Sequence, residues 1–478
     1  MPTSASYDAA VIGSGPNGLA AAITLAQHGL KVIVLEGAAY IGGSARSAEL
    51  TLPGYIHDVG PAAYPIAVAS PFFSALPLKD LGLKWITPPV SMAHPFDDGP
   101  PALLKGSPEE SAATLGKDAA AYTGLIQPIL NRWDNLMDDV LGTRRLPRHP
   151  LAWALFGMEV VQSAQVISRR FRGPRARGFF AGLASHSVLP LNSPASAGIG
   201  LVLAAMGHRQ GWPIPQGGAD AISDCLSKYL VSMGCTVKTG VKVSSAADLP
   251  AAKAFFFDTS PAQIIKVFGD RLTAGYRRSL RRYAYGPGAF KIDWALSGPI
   301  PWKSSACASA GTVHLGGSYD EIAEAESAAW HGRVPSRPFV LLAQPSLFDP
   351  SRAPSGKHTA WAYCHVPNGG SRDMTGGIEA QVERFAPGFT DLILARHVSS
   401  LAALEAENPN LVGGDITGGA QTLKQIFCRP SCRINPYSTP LKGVFICSAS
   451  TPPGAGVHGM CGFHAARMYL ERERLWKM

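Results

Sequence analysis

The chain is 478 residues long and carries a formal net charge of +9, with 16% of its residues charged and 46% hydrophobic. An average soluble domain is about 25% charged, so surplus apolar surface must go into a large interior, a greasy cavity, a homo-oligomer interface or a membrane contact. No nucleic-acid motif accompanies the positive charge, and no HExxH or similar histidine cluster offers a metal site, which excludes both readings here.

The first element is the most informative. Ala9 to Ile12 is a short apolar run, Gly13-x-Gly15-x-x-Gly18 a glycine turn, Leu19 to His28 a helical period closed by Gly29, and Lys31 to Leu35 an apolar strand. Gly13 allows the tight turn, Gly15 lets the backbone approach a pyrophosphate, and Gly18 lets the helix lie against the strand. Pro16 and Asn17 stand within the turn as cofactor-binding candidates, and the helix N-terminus that follows offers unpaired N–H groups and a positive dipole end to a diphosphate. Glu36 ends the second strand 18 residues after Gly18, where a carboxylate can accept both hydroxyls of an adenosine ribose. The fingerprint predicts dinucleotide binding without choosing between NAD and FAD. Gly42-Gly43-Ser-Ala-Arg46 resembles the glycine pair and arginine of the glutathione-reductase-2 (GR2) group of FAD enzymes, which implies that this loop passes the diphosphate.

Leu50 to Pro61 reads as a strand that returns past the nucleotide, with His57 and Asp58 candidates to approach the ligand; Asp58 could equally be a structural turn acid. Residues 62 to 190 read as largely helical and proline-punctuated, with a helix pair over Leu115 to Asp139 interrupted at Pro128. Between Arg144 and Arg177 stand eight arginines against one acid, Glu159. The apolar stretch Leu151 to Ile167 inside that segment is too polar to span a bilayer. It is either a peripheral membrane contact through 144–177 or a helix with a solvated basic rim.

Ala221 to Met233 reads as an amphipathic helix, Thr236 to Lys238 and Val241 to Val243 as strands, and Ala254 to Phe257 as a buried strand ending at Asp258. From Leu272 to about Cys428 the texture is strand and turn. Gly443 to Cys447 is a strand, 448–456 a Gly/Pro turn, and 459–472 a helix. Eight cysteines are scattered without a disulfide framework, Cys428-x-x-x-Cys432 lacks a second ligand pair, and the N-terminus carries no secretory pattern, so the reading is intracellular and cytoplasmic.

The Gly13 to Arg46 motif, the Pro-x-Gly-Gly block at 215–218 and Ser-Thr-Pro-Pro-Gly-Ala-Gly-Val-His-Gly-Met460 together resemble the phytoene desaturase-like FAD oxidoreductases. This group includes carotenoid desaturases and isomerases, retinol saturase and the pyridine nucleotide-disulphide oxidoreductase domain-containing protein 2 type. The resemblance covers nearly the whole chain in order. It implies FAD as cofactor, with Val243 meeting the adenine and Gly454 to Met460, including Gly456 and Val457, running under the isoalloxazine; the helix starting near Met460 would then aim its positive end at the flavin. The expected fold is α/β: a discontinuous Rossmann-like FAD domain of the GR2 type (1–65, 191–270, 426–478) and a substrate domain of mixed sheet plus helices (66–190, 271–425).

Flavin dehydrogenation needs a C–H bond aimed at N5, water excluded, and a polar group to handle the proton. Gly286 to Trp294 is the candidate strand, with Lys291 and Asp293 on one face and Phe290, Ile292 and Trp294 on the other. It resembles the flavin amine oxidase strand whose lysine holds a water against N5, which makes Lys291 a catalytic candidate; the competing reading is a Lys–Asp pair on an edge strand. His458 is the second candidate, either an acid/base beside the ring or a histidine bonded to the turn. Trp361, Tyr363 and His365 share one face of a strand and either line a substrate pocket or pack in the core.

The expected activity is oxidation or desaturation of a largely apolar, carotenoid-, retinoid- or lipid-like molecule by hydride transfer to FAD, with O2 or a quinone as acceptor. The alternatives are an amine or natural-product oxidase using O2, and a redox-neutral isomerase or FAD-bound partner-binding protein.

Overall fold

The computed structural model describes residues 7–143 and 149–474. A five-stranded, all-parallel sheet runs in the order Val444–Ile446, Ala252–Phe257, Tyr7–Ile12, Val32–Leu35, Thr236–Lys238. Its central strands are apolar along Ala9–Ile12, Val32–Leu35 and 254–257 because both faces are covered there. Ala9, Val11, Val32, Val34 and Phe256 pack toward the helices Pro16–Gln27, Asp220–Ser232 and Met460–Arg472. Ala10, Ile12, Ile33, Leu35 and Phe257 pack toward Pro261–Phe268 and Ala274–Arg281. The α/β class with a Rossmann-like sheet and a second mixed sheet is therefore as the sequence indicates.

The register of this sheet builds the site. Ile12 pairs with both Leu35 and Phe257, and Phe257 pairs with Ile446. The residues that follow, Gly13, Glu36, Asp258 and Cys447, thus stand in a row along the carboxyl edge, where open α/β sheets bind ligands.

The second sheet has seven strands in the order Ile393–Ser399, Gly288–Leu296, His358–Val366, Val340–Ala343, Ala310–Leu315, Val90–His94, Ala102–Leu104, antiparallel except between 310–315 and 90–94. One face is greasy: Phe290, Ile292, Trp294, Leu342, Ala360 and Ala362 pack under the helix Thr375–Phe385. The other face carries Lys291, Asp293, Trp361, Tyr363 and His365, since Lys291 lies opposite Tyr363 and Asp293 opposite Trp361.

Several local expectations need correction. The region 62–190 is not only helical, because Val90–His94 and Ala102–Leu104 join the second sheet. The helix Ala119–Leu130 runs through Pro128 and breaks after it, before Trp133–Val140. Residues 241–243 form no strand; the Val241 N–H bonds the Glu36 carbonyl at 2.8 Å as a single extended contact beside the second strand. The stretch 272–428 also contains the helix Tyr319–Trp330, started by the Ser318 hydroxyl, which accepts from the Glu321 N–H.

Candidate active site

The glycine turn is built by exclusion. A Cβ on Gly18 would collide with the Gly13 carbonyl, and one on Gly15 would lie 2.6 Å from Asp258 Oδ2. Gly13 has φ +100°, in the region that favours glycine. Helix Pro16–Gln27 starts at Gly15 with no side-chain cap, and its Asn17 Oδ1 is buried with no hydrogen-bond partner. Gly43 lies directly on Gly15, a Cβ there being 3.3 Å from the Gly15 Cα. The Gly42 N–H bonds the Ser14 carbonyl at 3.1 Å. The two glycine loops therefore form one cradle at the helix start.

A dinucleotide fits this donor set. The positive end of the helix dipole suits a diphosphate although Asp258 Oδ2 already takes the Gly18 N–H there, and Glu36 stands two strand ends away from Asp258 on the same edge. Glu36 is engaged within the protein: Oε2 accepts from Ser14 N and Oγ at 2.8 and 2.7 Å, and Oε1 from Ala38 N at 2.9 Å. Arg46 forms an ion pair with Glu407 and stacks over Tyr40 at 3.8 Å, so its guanidinium faces these partners rather than the cradle. Val243 is partly buried beside the first-sheet core.

Asp258 is the feature the sequence reading passed over. Its Oδ2 accepts the Gly18 N–H at 2.8 Å, which places a carboxylate against the cradle. Burial, reinforced by the Glu36 charge and opposed by the Gly18 N–H, raises its carboxyl to about 7. A folded carboxyl raised above its ordinary value of about 4 disfavours the ionised form, so its stability contribution is full below pH ~4 and is lost as pH rises toward ~7. Asp258→Asn keeps the Gly18 contact without the charge. Its melting temperature is expected to exceed the wild type's by a margin that widens from pH 4 to 7 and is constant above, read by differential scanning fluorimetry; a margin independent of pH would contradict this account.

The turn 452–460 reaches the same edge. Gly456 is exposed with φ +125° and lies against Ile66, while Val457 is half-buried. His458 is fully buried and held at both nitrogens: Nδ1 accepts from Met460 N at 2.9 Å, and Nε2 lies 3.2 Å from the Gly454 carbonyl. Burial lowers it to about 4. Of the two expectations for His458, this geometry is that of the histidine bonded to the turn, with both nitrogens engaged ahead of helix Met460–Arg472.

Lys291 is no edge residue. Its strand is central, between 358–366 and 393–399, and Nζ bonds both Asp293 oxygens at 2.6 and 2.5 Å with Lys291 5% and Asp293 0% exposed. Asp293 is nonetheless raised, because desolvation outweighs the Lys291 charge. His57 Nδ1 stands 3.6 Å from Asp293, and burial together with the Lys291 and Arg352 charges lowers it to about 3. Asp58 is structural: it pairs with buried Arg352 at 2.8 Å and accepts from Ser47 Oγ and Ala219 N.

Trp361 and Tyr363 are stacked, with ring centroids 5.8 Å apart, and Tyr363 keeps partial exposure amid buried neighbours. His365 is buried, with Nδ1 2.9 Å from both oxygens of Glu326. Glu326 comes from the helix Tyr319–Trp330 that the sequence reading missed. His186 and His314 meet at 3.2 Å on the same side. Among the described residues, no three His, Cys, Asp or Glu side chains form a metal-binding group, and no helix is long and apolar enough to cross a membrane. Arg144, Arg145 and Arg148 lie outside the described residues.

Comparison with known proteins agrees with this architecture. Residues 11–74 match the NAD(P)-binding Rossmann-like domain family. The chain is 27% identical to pyridine nucleotide-disulfide oxidoreductase domain-containing protein 2 of Mus musculus, over 97% of this chain and 93% of that one. It is 24% identical to the neurosporene-forming phytoene desaturase of Rhodobacter capsulatus, over 95% and 92%. Putrescine oxidase bound to putrescine shares the fold, with a TM-score of 0.63 at 15% identity, covering 98% of this chain and 99% of the other. The resemblance read from the motifs is thus borne out along nearly the whole length, and these relatives are oxidoreductases.

Proposed function

We propose that the protein is an FAD-dependent oxidoreductase that dehydrogenates a largely apolar, carotenoid-, retinoid- or lipid-like molecule. The observation that carries this is the pairing of a glycine cradle on the carboxyl edge of the first sheet with a desolvated Lys291–Asp293 pair among aromatic side chains on the second.

Gly13, Gly15, Gly18, Gly42 and Gly43 would hold the diphosphate, and Glu36, by exchanging its Ser14 contacts, the ribose. FAD, when bound, supplies a two-electron acceptor for hydride. Lys291 presents Nζ, held by Asp293, inside a water-poor face where electrostatic interactions are strong, and would position there a water that takes up the proton the substrate loses along with the hydride. Trp361 and Tyr363 give a flat apolar wall that orients substrate. Asp293 and Glu326, the buried carboxylates on this face, are already engaged by Lys291 and His365, which favours an apolar substrate over an ammonium group. Reoxidation would use O2 or a quinone. Delivery from an anionic membrane face belongs to the same reading: Leu155, Met158, Val161 and Val166 are exposed beside Arg169 and Arg170.

The buried lysine strand also favours a second reading, an amine oxidase. The visible spectrum of the purified protein, followed by anaerobic addition of lycopene, retinol and putrescine in turn, separates the two. The expected result is an oxidised-flavin spectrum bleached by the isoprenoids. Bleaching by putrescine alone would establish the amine reading, and a flavin that nothing bleaches would favour isomerisation or partner binding. A chain that takes up no FAD would end the cofactor assignment.

A further inference from the structure

Cys428 and Cys432 are joined by a disulfide, their Cα atoms 4.5 Å apart, which corrects the expectation of cysteines without bridges. Cys432 is exposed and Cys428 half-buried, whereas Cys225, Cys235, Cys307, Cys364, Cys447 and Cys461 are free and buried. The pair sits in a strongly basic stretch. Lys424, Arg429, Arg433 and Lys442 surround it in sequence, and no Asp or Glu occurs between Asp415 and Glu471. Thiol exchange needs an accessible sulfur to attack and a leaving thiolate that is electrostatically stabilised. The exposure of Cys432 meets the first condition, and the excess of basic over acidic residues in this stretch favours the second.

The residue directly after Cys428 points the other way. Arg429 is 1% exposed, and its Nη2 bonds Tyr283 OH at 3.0 Å and approaches the carbonyls of Gly418 and Gly419 at 3.5 and 3.4 Å. Its Nη1 would lie 2.6 Å from a Cβ on Gly454, the residue whose carbonyl also meets His458 Nε2. The disulfide is the outer clasp of a loop whose inner end is wedged against the turn 454–460. In a reducing compartment, an exposed bridge of this kind is more often redox-responsive than structural.

We propose that Cys428–Cys432 is an exchangeable disulfide opened by small thiols, and that its state sets the grip of Arg429 on the turn 454–460. A reductant thiolate attacks the exposed Sγ of Cys432, the S–S bond breaks, and Cys428 leaves as a thiolate and takes up a proton. A second reductant thiol resolves the mixed disulfide at Cys432. The net change is two protein thiols formed and one reductant disulfide released, a two-electron transfer. The consequence for FAD rests on the function proposed above; the exchange itself does not.

The test is iodoacetamide labelling of the native, air-oxidised protein before and after dithiothreitol, with peptide mapping. FAD affinity is then measured by flavin fluorescence on both samples and on the Cys428→Ser/Cys432→Ser variant. No label is expected before reduction, and label on Cys428 and Cys432 alone after it, because the other six cysteines are buried. FAD affinity should fall about tenfold in both the reduced protein and the double variant. Label on either residue without reductant, or none after it, would overturn the exchange site. Correct labelling with unchanged FAD affinity in both samples would overturn the coupling through Arg429. A chain that binds no FAD in any state would overturn the cofactor reading and the coupling with it, while the labelling still decides the exchange.

Discussion

Gly18→Ala should leave the protein colourless, with its dissociation constant for FAD raised at least ~100-fold, about 2.7 kcal/mol of binding energy. The new methyl group would collide with the Gly13 carbonyl and stand 3.1 Å from the Asp258 Cβ. The helix cannot relieve this by moving away, because its outer side is sealed: a Cβ on Gly462 would already collide with the Asn17 carbonyl. Helix Pro16–Gln27 is thus clamped between its own strand and the C-terminal helix, and any shift turns its first N–H groups off the diphosphate. Overpacking of this kind also costs about 1–3 kcal/mol of stability. Gly124→Ala serves as the control, since its added methyl meets nothing within 4 Å and should stabilise the helix by up to ~1 kcal/mol. Titration with FAD by fluorescence quenching reads both variants. A Gly18→Ala protein that purifies yellow with wild-type affinity would remove the cradle as the cofactor site.

Why Gly18 was legible and Asp258 was not is a matter of range. The glycine spacing, the helix behind it and Glu36 lie within 24 residues, and their geometry follows from local turn and helix rules. Asp258 becomes part of the cradle only because Ala252–Phe257 pairs in parallel with Tyr7–Ile12, a contact across some 240 positions that no local pattern encodes. The same holds on the second sheet. Period-two alternation separated Lys291 and Asp293 from Phe290, Ile292 and Trp294, because side-chain facing is a property of one strand. Strand order is not, so a strand that could have been an edge proved to be central. The helix Tyr319–Trp330 was a different kind of miss: Ser318 followed by Glu321 ahead of an alanine-rich run is a local signal. With that helix went Glu326, the partner of His365. Cys428 and Cys432 have a spacing that permits several pairings, and only the loop geometry joins them.

Lys291→Met should keep its flavin yet be reduced at least ~10-fold more slowly, because the cradle lies on the other sheet while the polar Nζ that would position the water taking up the substrate proton is gone. The variant should also lose about 3–5 kcal/mol of stability, since Asp293 would be left as a buried carboxylate without its cation. The sign of its pH dependence follows from Asp293, already raised by burial with the lysine present. Without Lys291 the carboxyl rises further, so the deficit should be small near pH 4 and grow as the pH rises and ionisation becomes costly. Stability and chemistry can then be separated by Lys291→Met/Asp293→Leu, which replaces both charges with apolar groups. Replacing a whole buried pair is often neutral, whereas breaking it is not. Urea denaturation should find the double variant near wild-type stability, and anaerobic stopped-flow with the compound that bleaches the wild type should find it as slow as the single one. If the double variant is both stable and reduced at the wild-type rate, Lys291 is only the counter-ion of Asp293, and proton handling must pass to another group on that face, of which His397, directly opposite Asp293, is the nearest in register.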